Sequence, residues 1–451
     1  MDINTIMDRH KQTVSNLLLA YDGKEPLHLF LKKYFAVHKK HGSKDRKLIS
    51  ALLYSYFRLG KNVEALQKLP DASITITLSD LLDIGYYITG NAAFPQQLHA
   101  ALQAALNKQD SLENIDSSDS RPPVSSKAMA NNAIENAQLP VERFALLQRI
   151  FPSMQPALLF PFKAPLSTGL TPSAVAHRLL MQPPVFLRIR PTKGNRALVL
   201  KVLVELQLPH TIYDGYTLSM PAGTPVHQFL EINKEVVIQD SSSQWMGKFM
   251  QSALTGLQKN NGSNAKNYRP VIKAWDCCAA SGGKSILLHD LCVEQGYQPD
   301  LTVTDIRGTI LKNLDTRFKQ AGIVRYHKQI LDLTTAGALT FKEDFDLVIC
   351  DVPCSGSGTW ARNPENIRYF NEAAIMDYYK RQISIARKAW QAVRPGGYFL
   401  YMTCSVFEQE NEAVSDFIAA NSGMERIDQK VVLGWPENYV SMFGALYTRK
   451  K

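Results

Sequence analysis

Cys354 lies in the run Asp351-Val352-Pro353-Cys354-Ser355-Gly356 and Cys404 in Thr403-Cys404-Ser405, each just after a strand-like apolar stretch. A thiolate beside a pyrimidine ring adds to carbon 6, which makes carbon 5 nucleophilic enough to take a methyl group. A second thiol helps to undo the adduct. Two such cysteines point to C5 methylation of cytosine. A free thiol of pKa about 8.5 is only slightly ionised at neutral pH, so the site must favour the thiolate or couple attack to protonation of the ring.

That chemistry needs a methyl donor, and a site for one lies upstream. Val271-Ile272-Lys273-Ala274-Trp275-Asp276 reads as a buried strand, and Cys278-Ala279-Ala280-Ser281-Gly282-Gly283-Lys284 follows it. Small residues and two glycines at a strand-to-helix turn let the backbone approach a nucleoside closely at the carboxyl edge of a parallel sheet. Leu301-Thr302-Val303-Thr304-Asp305 predicts a second strand ending in an acid suited to a ribose diol. Asp332 and Asp351 follow two further strand-like stretches. The pattern is that of a nucleoside-binding Rossmann fold. Gly283-Lys284-Ser285 also resembles the end of a P-loop, but that motif needs glycine where Cys278 stands, and the turn is too poor in glycine to wrap phosphates.

At these positions the chain resembles the RsmB/Nop/Sun family of RNA cytosine-5 methyltransferases. The family pattern Asp-x-Cys-Ala-Ala-Pro-Gly-Gly-Lys-Thr matches Asp276 to Ser285, with Ser281 in place of proline and Ser285 in place of threonine. Asp-x-Pro-Cys-Ser-Gly-x-Gly matches Asp351 to Gly358, and Thr-Cys-Ser-x-x-x-x-Glu-Asn-Glu matches Thr403 to Glu412. More loosely, Leu187-Arg188-Ile189-Arg190 is similar to the family's Leu-Arg-Val-Asn, with Arg190 for asparagine, and Gln239 to Gln244 is similar to Gln-Asp-x-Ala-Ser-Gln.

The resemblance implies Cys404 as the nucleophile, Cys354 as the thiol that assists release, and Asp351 as the hydrogen-bonding partner of the cytosine N3 and amino edge. The reverse assignment of the thiols stays open, because DNA cytosine methyltransferases carry their nucleophile on a Pro-Cys motif. S-adenosylmethionine is the implied cofactor, held by Cys278, Ala279, Ala280, Ser281, Gly282, Gly283 and Lys284 with Asp305, Asp332 and Asp351. Ser281 leaves the turn less rigid than proline would. Cys277, Cys292 and Cys350 are taken as packing residues, and Arg362, Asn363, Pro364 and Glu365 as a border of the RNA cleft. The implied substrate is RNA, with 16S ribosomal RNA favoured. Transfer RNA, or a non-catalytic RNA-binding assembly role on the same fold, are the alternatives.

At 451 residues the chain is expected to form about three domains. With 45% hydrophobic and 20% charged residues it reads as globular. No 18-residue apolar run appears and the first residues lack the features of a signal peptide, so a cytoplasmic protein without membrane contact is expected; a monomer is expected as well. Six cysteines without a CxxC pair indicate neither a metal site nor a disulfide framework. Residues 1–60 hold 11 Lys/Arg against 5 Asp/Glu, so +6 of the net +10 is concentrated there, which fits a polyanionic partner.

The elements that must position these residues follow from periodicity. Residues 1–165 are expected to form a helical domain that resembles NusB in Gly42-Ser43-Lys44-Asp45-Arg46 and Leu53 to Arg58. Within it Ser43 is expected to cap a helix bearing Ile49, Leu52, Leu53 and Phe57 on one face, closed by Gly60. The polar stretch 107–127 reads as a loop, followed by helices over 128–137 and 141–151. Residues 166–234 suit a small RRM-like α/β subdomain, with a strand at Val185–Ile189, a helix at 197–206 and a strand at 211–220. A class I methyltransferase domain of α/β type is expected over 235–451. Its predicted parts are a helix around 243–256, a loop at 259–264, a strand at 345–350, a helix over 373–393, a stop at Arg394-Pro395-Gly396-Gly397 and a strand over Tyr398 to Met402.

Overall fold

The computed structural model describes residues 3–451 except 69–74, 91, 114–125, 193–194, 262–268, 336, 338–343 and 435–439. The chain divides into two compact units. One holds Met1–Lys163, Thr171–Gln182 and Trp360–Phe370, and the other Ala164–Leu170, Pro183–Thr359 and Asn371–Lys451.

The first unit is helical. Its helix Ser43–Arg58 buries Ile49, Leu52, Leu53, Tyr56 and Phe57 on the face that the spacing predicts. The cap differs from expectation. Ser43 is already helical, and Gly42 precedes it with its amide donating to the Asp45 carboxylate at 2.9 Å. Gly60 ends the turn at φ +57, where a Cβ would stand 2.7 Å from the Leu158 carbonyl oxygen. The helices His99–Glu113 and Ser126–Asn136 occupy both ends of the stretch read as a loop, and the rest of that loop, 114–125, lies outside the described residues.

The segment Trp360–Phe370 falls within the stretch 235–451 of the sequence yet packs within the helical unit. The Glu365 carboxylate is buried and accepts from the Leu27 amide at 3.2 Å. Tyr369 donates to the Tyr21 carbonyl at 2.9 Å, and Arg58 spans the carbonyls of Leu179, Met181 and Ala361, each at 2.7 Å. Glu365 is therefore a packing group of this unit rather than the open polar border that its sequence suggests.

The second unit carries two sheets. The smaller has β1 (Val185–Ile189), β2 (Thr211–Ile212), β3 (Thr217–Met220) and β4 (Val236–Ile238) in the antiparallel order β2-β3-β1-β4. The single strand expected at 211–220 is a hairpin, turned where Asp214 accepts from the amides of Tyr216 and Thr217. One face of this sheet buries Leu187, Ile189, Leu218 and Met220 with Val199 and Leu203 of the helix Asn195–Glu205.

The larger sheet comprises β5 (Val271–Asp276), β6 (Gln298–Asp305), β7 (His327–Ile330), β8 (Phe345–Asp351), β9 (Val393–Thr403), β10 (Met424–Leu433) and β11 (Ser441–Arg449). Its order is β10-β11-β9-β8-β5-β6-β7. The strands from β7 to β9 run parallel, and β11 and β10 join antiparallel. The fold is thus an α/β Rossmann-like fold with a mixed sheet. Strand order reverses at β5, which opens a crevice at the carboxyl ends of β5 and β8.

Two local expectations change. The helix expected to run to Val393 stops at Ala389 and passes through one tighter turn. β9 then begins at Val393, so Arg394-Pro395-Gly396-Gly397 lies within the strand at an irregularity in its pairing with β8. The helix Gly247–Asn261 takes in the first part of the loop read at 259–264, whose remainder lies outside the described residues.

Candidate active site

Strand register assembles the site. Asp351 pairs with Met402 across β8 and β9, so Cys354, three residues beyond one strand end, and Cys404, just beyond the other, emerge side by side. Their sulfurs are 3.3 Å apart. Backbone bonds tie the two loops together, from the Val352 amide to the Met402 carbonyl at 3.1 Å and from the Gly358 amide to the Cys404 carbonyl at 2.8 Å. Only glycine fits at 358. A Cβ there would lie 2.4 Å from the Ser441 carbonyl oxygen and 2.9 Å from that of Cys404.

A buried carboxylate that the sequence reading gave no role organises these loops. Glu410 accepts from the Ser355 amide at 2.8 Å, from the hydroxyls of Ser355 and Ser405 at 2.5 Å each, and from Gln382 at 3.0 Å. Gln382 also donates to the Pro353 carbonyl at 3.1 Å. Asn411 donates to the Ser405 carbonyl at 2.9 Å and to Ser167 at 2.7 Å. Glu410 and Asn411 stand inside the Thr403–Glu412 motif, so that motif was the available signal. Gln382 lies on the helix Ala374–Ala389, where nothing in the sequence marks it.

The Cys354 thiol is pushed well above its ordinary range, first by the neighbouring Cys404 sulfur and then by burial, and so stays protonated. Lys284, at the start of the helix Gly283–Glu294, reaches across to Asp351 with 2.5 Å between Nζ and Oδ2. Burial works to lower the ammonium pKa, but the Asp351 carboxylate outweighs it and raises the value, so the ammonium is held charged. Asp276 ends β5 in a buried position. Its Oδ2 accepts from Ser285 at 2.6 Å, its Oδ1 has no protein partner, and burial lifts its carboxyl to about 7.

Two cavities meet at this point. The larger, of about 720 Å³, is lined by Cys278, Ala280, Asp305, Asp332, Asp351, Cys354 and Cys404. The smaller, of about 340 Å³, is lined by Ala279, Ser281, Gly283, Lys284 and Arg317, and shares Cys278, Ala280, Asp351 and Cys404 with the first. The implied site residues therefore separate. Asp305 and Asp332 face the larger cavity, whereas Ser281, Gly283 and Lys284 face the smaller. Gly282 is packed against the core instead, at φ +82, with Phe318 2.7 Å from where its Cβ would be.

The larger cavity suits a nucleoside. Asp305 accepts from the Ala280 amide at 3.0 Å and from the Arg307 amide and guanidinium at 2.9 and 3.0 Å. Burial pushes its pKa up, but these bonds outweigh burial and keep the carboxylate ionised. Arg307 is largely exposed, and its release from Asp305 would free acceptor oxygens for a ribose diol. Among the described residues no His/Cys/Asp/Glu cluster is arranged to hold a metal ion, and no helix is long and apolar enough to cross a membrane.

Residues 267–434 match the family model for 16S rRNA methyltransferase RsmB/F. Over this stretch the chain is similar to the RsmB/F methyltransferase family. Its cofactor is S-adenosylmethionine, and the residues around the larger cavity fit that group. The chain is 26% identical over 399 residues to a ribosomal RNA small subunit methyltransferase B of Citrobacter koseri, a match covering 83% of this chain and 82% of that protein. A probable enzyme of the same name from Synechocystis is 28% identical over 235 residues, 51% of this chain and 48% of that one. The chain spans about half the length of most of the curated relatives it matches. Among solved structures, the crystal structure of PH0851 aligns over 100% of both chains at TM-score 0.62 and 16% identity. A methyltransferase homologue from Pyrococcus horikoshii aligns over 62% of this chain and 92% of its own at TM-score 0.50 and 17% identity. These likenesses show the fold.

Arg190 stands where the family pattern has asparagine, and it is buried. It binds Asp290 through Nε at 3.1 Å and Nη2 at 2.5 Å, and it donates to the carbonyls of Asn233 at 3.0 Å and Ala321 at 2.6 Å. Arg188 reaches the same carboxylate at 2.7 Å. On the same sheet Val237 packs with Ala279 and Ile286 beside the donor turn. The face of the small sheet opposite its helix is therefore covered by the methyltransferase core.

Proposed function

We propose that the protein is an RNA cytosine-C5 methyltransferase acting on small-subunit ribosomal RNA. The observation that carries this reading is the 3.3 Å approach of Cys354 and Cys404 beside the Lys284–Asp351 pair, with Cys404 and Asp351 lining both cavities. One cavity accommodates a nucleoside-bearing donor, and the other leaves room for an extruded base.

In this reading the Cys404 sulfur forms a bond to C6 of cytosine. The displaced π pair moves toward C5, while the Lys284–Asp351 pair holds the N3 and amino edge and takes up the charge that builds in the ring. Bound S-adenosylmethionine supplies an electrophilic methyl group. Cys354, still protonated, is the donor in the 3.3 Å contact with the Cys404 sulfur before attack. Once Cys404 is a thioether it carries no charge, and the largest cause of the raised Cys354 pKa is removed. Cys354 then loses its own proton to solvent, and the thiolate so formed accepts the C5 proton as the C5–H pair restores the double bond and Cys404 leaves as thiolate.

Support for a ribosomal substrate comes from the names of the similar proteins and from the basic segment 1–60. The domains assigned to 1–165 and 166–234 are proposed as the RNA-capturing, NusB-like part and an RRM-like support, in a monomeric cytoplasmic enzyme. Because one face of the small sheet is covered, that subdomain serves the donor turn rather than offering an open RNA-binding sheet. The test is transfer of labelled methyl groups to 16S ribosomal RNA, followed by nucleoside analysis. 5-Methylcytidine is expected; a labelled base other than cytosine, or no transfer to any RNA, overturns the proposal.

A further inference from the structure

We infer that Arg317 is a positioning residue for the donor site, supplying from a neighbouring helix the rigidity that proline gives this turn in the family pattern. The inference rests on the reading that the turn at 278–283 borders the donor.

The turn is strained where it meets the larger cavity. Ala280 sits at φ +47, a left-handed conformation that is unfavourable for a residue with a Cβ. It must hold that conformation for its amide to reach Asp305 at 3.0 Å. A proline at 281 would restrict the chain just after this residue. Ser281 does not, and its flexibility would let Ala280 relax and swing its amide away from Asp305.

The structure contains a substitute. Arg317, on the helix Gly308–Gln320, is half-buried and grips Ser281 twice, with Nη1 2.8 Å from the side-chain oxygen and 3.2 Å from the carbonyl. Its Nε is fixed by the Asn233 side chain at 3.1 Å. Asn233 is itself clamped. It is buried at φ +68, with its amide bonded to the Val236 carbonyl at 2.7 Å, its side chain donating to Gln320 at 2.8 Å and its carbonyl accepting from Arg190. The guanidinium thus ties the turn to a rigid point on the small subdomain, and both bonds to Ser281 are charge-assisted. The flanking amides of Ala280 and Gly282 are already engaged, by Asp305 and the Ala279 carbonyl. A proline at 281 disturbs neither.

The two devices should therefore substitute for each other, which a mutant cycle reads directly. Dissociation constants for S-adenosylmethionine are measured by calorimetry on the full chain for wild type, Arg317→Met, Ser281→Pro and the double variant, with thermal melts alongside. Arg317→Met is expected to bind the donor roughly tenfold more weakly, from the loss of charge-assisted bonds. Ser281→Pro alone should be near wild type, and in the Arg317→Met background it should restore affinity. Recovered affinity without recovered melting temperature separates positioning from general stability. Should Arg317→Met fail to fold, Ser281→Ala, which removes only the 2.8 Å bond, should still weaken donor binding by about threefold. Wild-type affinity in Arg317→Met, or a double variant as weak as Arg317→Met, overturns the inference. A wild-type protein that does not bind the donor overturns the underlying reading instead.

Discussion

Replacing Asp290 with asparagine keeps the shape of the side chain and removes one charge. That charge is the only carboxylate hydrogen-bonded to both Arg188 and Arg190 among the described residues, which are 5% and 4% exposed; Asp290 itself is 4% exposed. Burial alone would raise the Asp290 pKa, but nearby His289, the hydrogen bonds of Arg190 and the charges of the two arginines outweigh it and hold the carboxyl well below its ordinary range. Removing one member of a buried ionic set typically costs about 3–5 kcal/mol, because the partner charges stay buried without compensation. Against a typical total of about 5–15 kcal/mol, this is a large fraction of the stability. It corresponds to roughly two to three and a half decades in the unfolding constant, and to a drop of roughly 6–20 °C in melting temperature for a domain of this size. The assay is thermal and urea unfolding followed by tryptophan fluorescence, to which Trp275, buried in the large sheet, contributes. A depressed acid pKa contributes stability in full above the unfolded value of about 4, and that contribution is lost as pH falls through the folded value. The gap between wild type and Asp290→Asn should accordingly shrink in acid. A variant that melts within about 2 °C of wild type at pH 7 would refute the reasoning.

Other expectations follow from the same geometry. Cys404→Ser should abolish both methyl transfer and any covalent RNA adduct, whereas Cys354→Ser should attack and methylate but stall with an adduct stable on denaturing gels; the opposite pattern would reverse the two roles. Gly358→Ala should displace the Cys404 loop and reduce methyl transfer at least tenfold, as steady-state rates would reveal. Asp276 has its folded pKa raised to about 7, so between about pH 4 and 7 the folded state binds the extra proton and stability falls as pH rises, levelling off above 7; Asp276→Asn should remove this slope from urea midpoints at pH 5 and 8. Changing the exposed Lys32, Lys39 and Lys40 to glutamine should reduce the slope of log affinity for RNA against log salt by roughly 2, and an unchanged slope would mark the basic segment as a solvated face.

The sequence by itself determined the alternation of strands and helices in the methyltransferase domain, the acids at strand ends and the two thiols beyond β8 and β9. These are local properties, set by apolar runs, by small residues at turns and by a motif whose parts lie within ten or so residues of one another. Helix Ser43–Arg58 was legible for the same reason, since its buried face follows from a 3.6-residue period. Contacts between distant segments were not legible. The binding of Glu410 to Ser355, of Asp290 to Arg190, and of Arg317 to Ser281 joins residues 55, 100 and 36 positions apart. Glu365 read as part of an open polar border because a lone glutamate carries no sign of burial, and it is buried only because its segment packs within the helical unit. Ser281 looked like a weakening of the turn, since the sequence shows the missing proline but not the guanidinium that replaces it. Local periodicity encodes which face of an element is apolar; which polar groups meet across the fold depends on sheet order and register, and those only the tertiary structure decides.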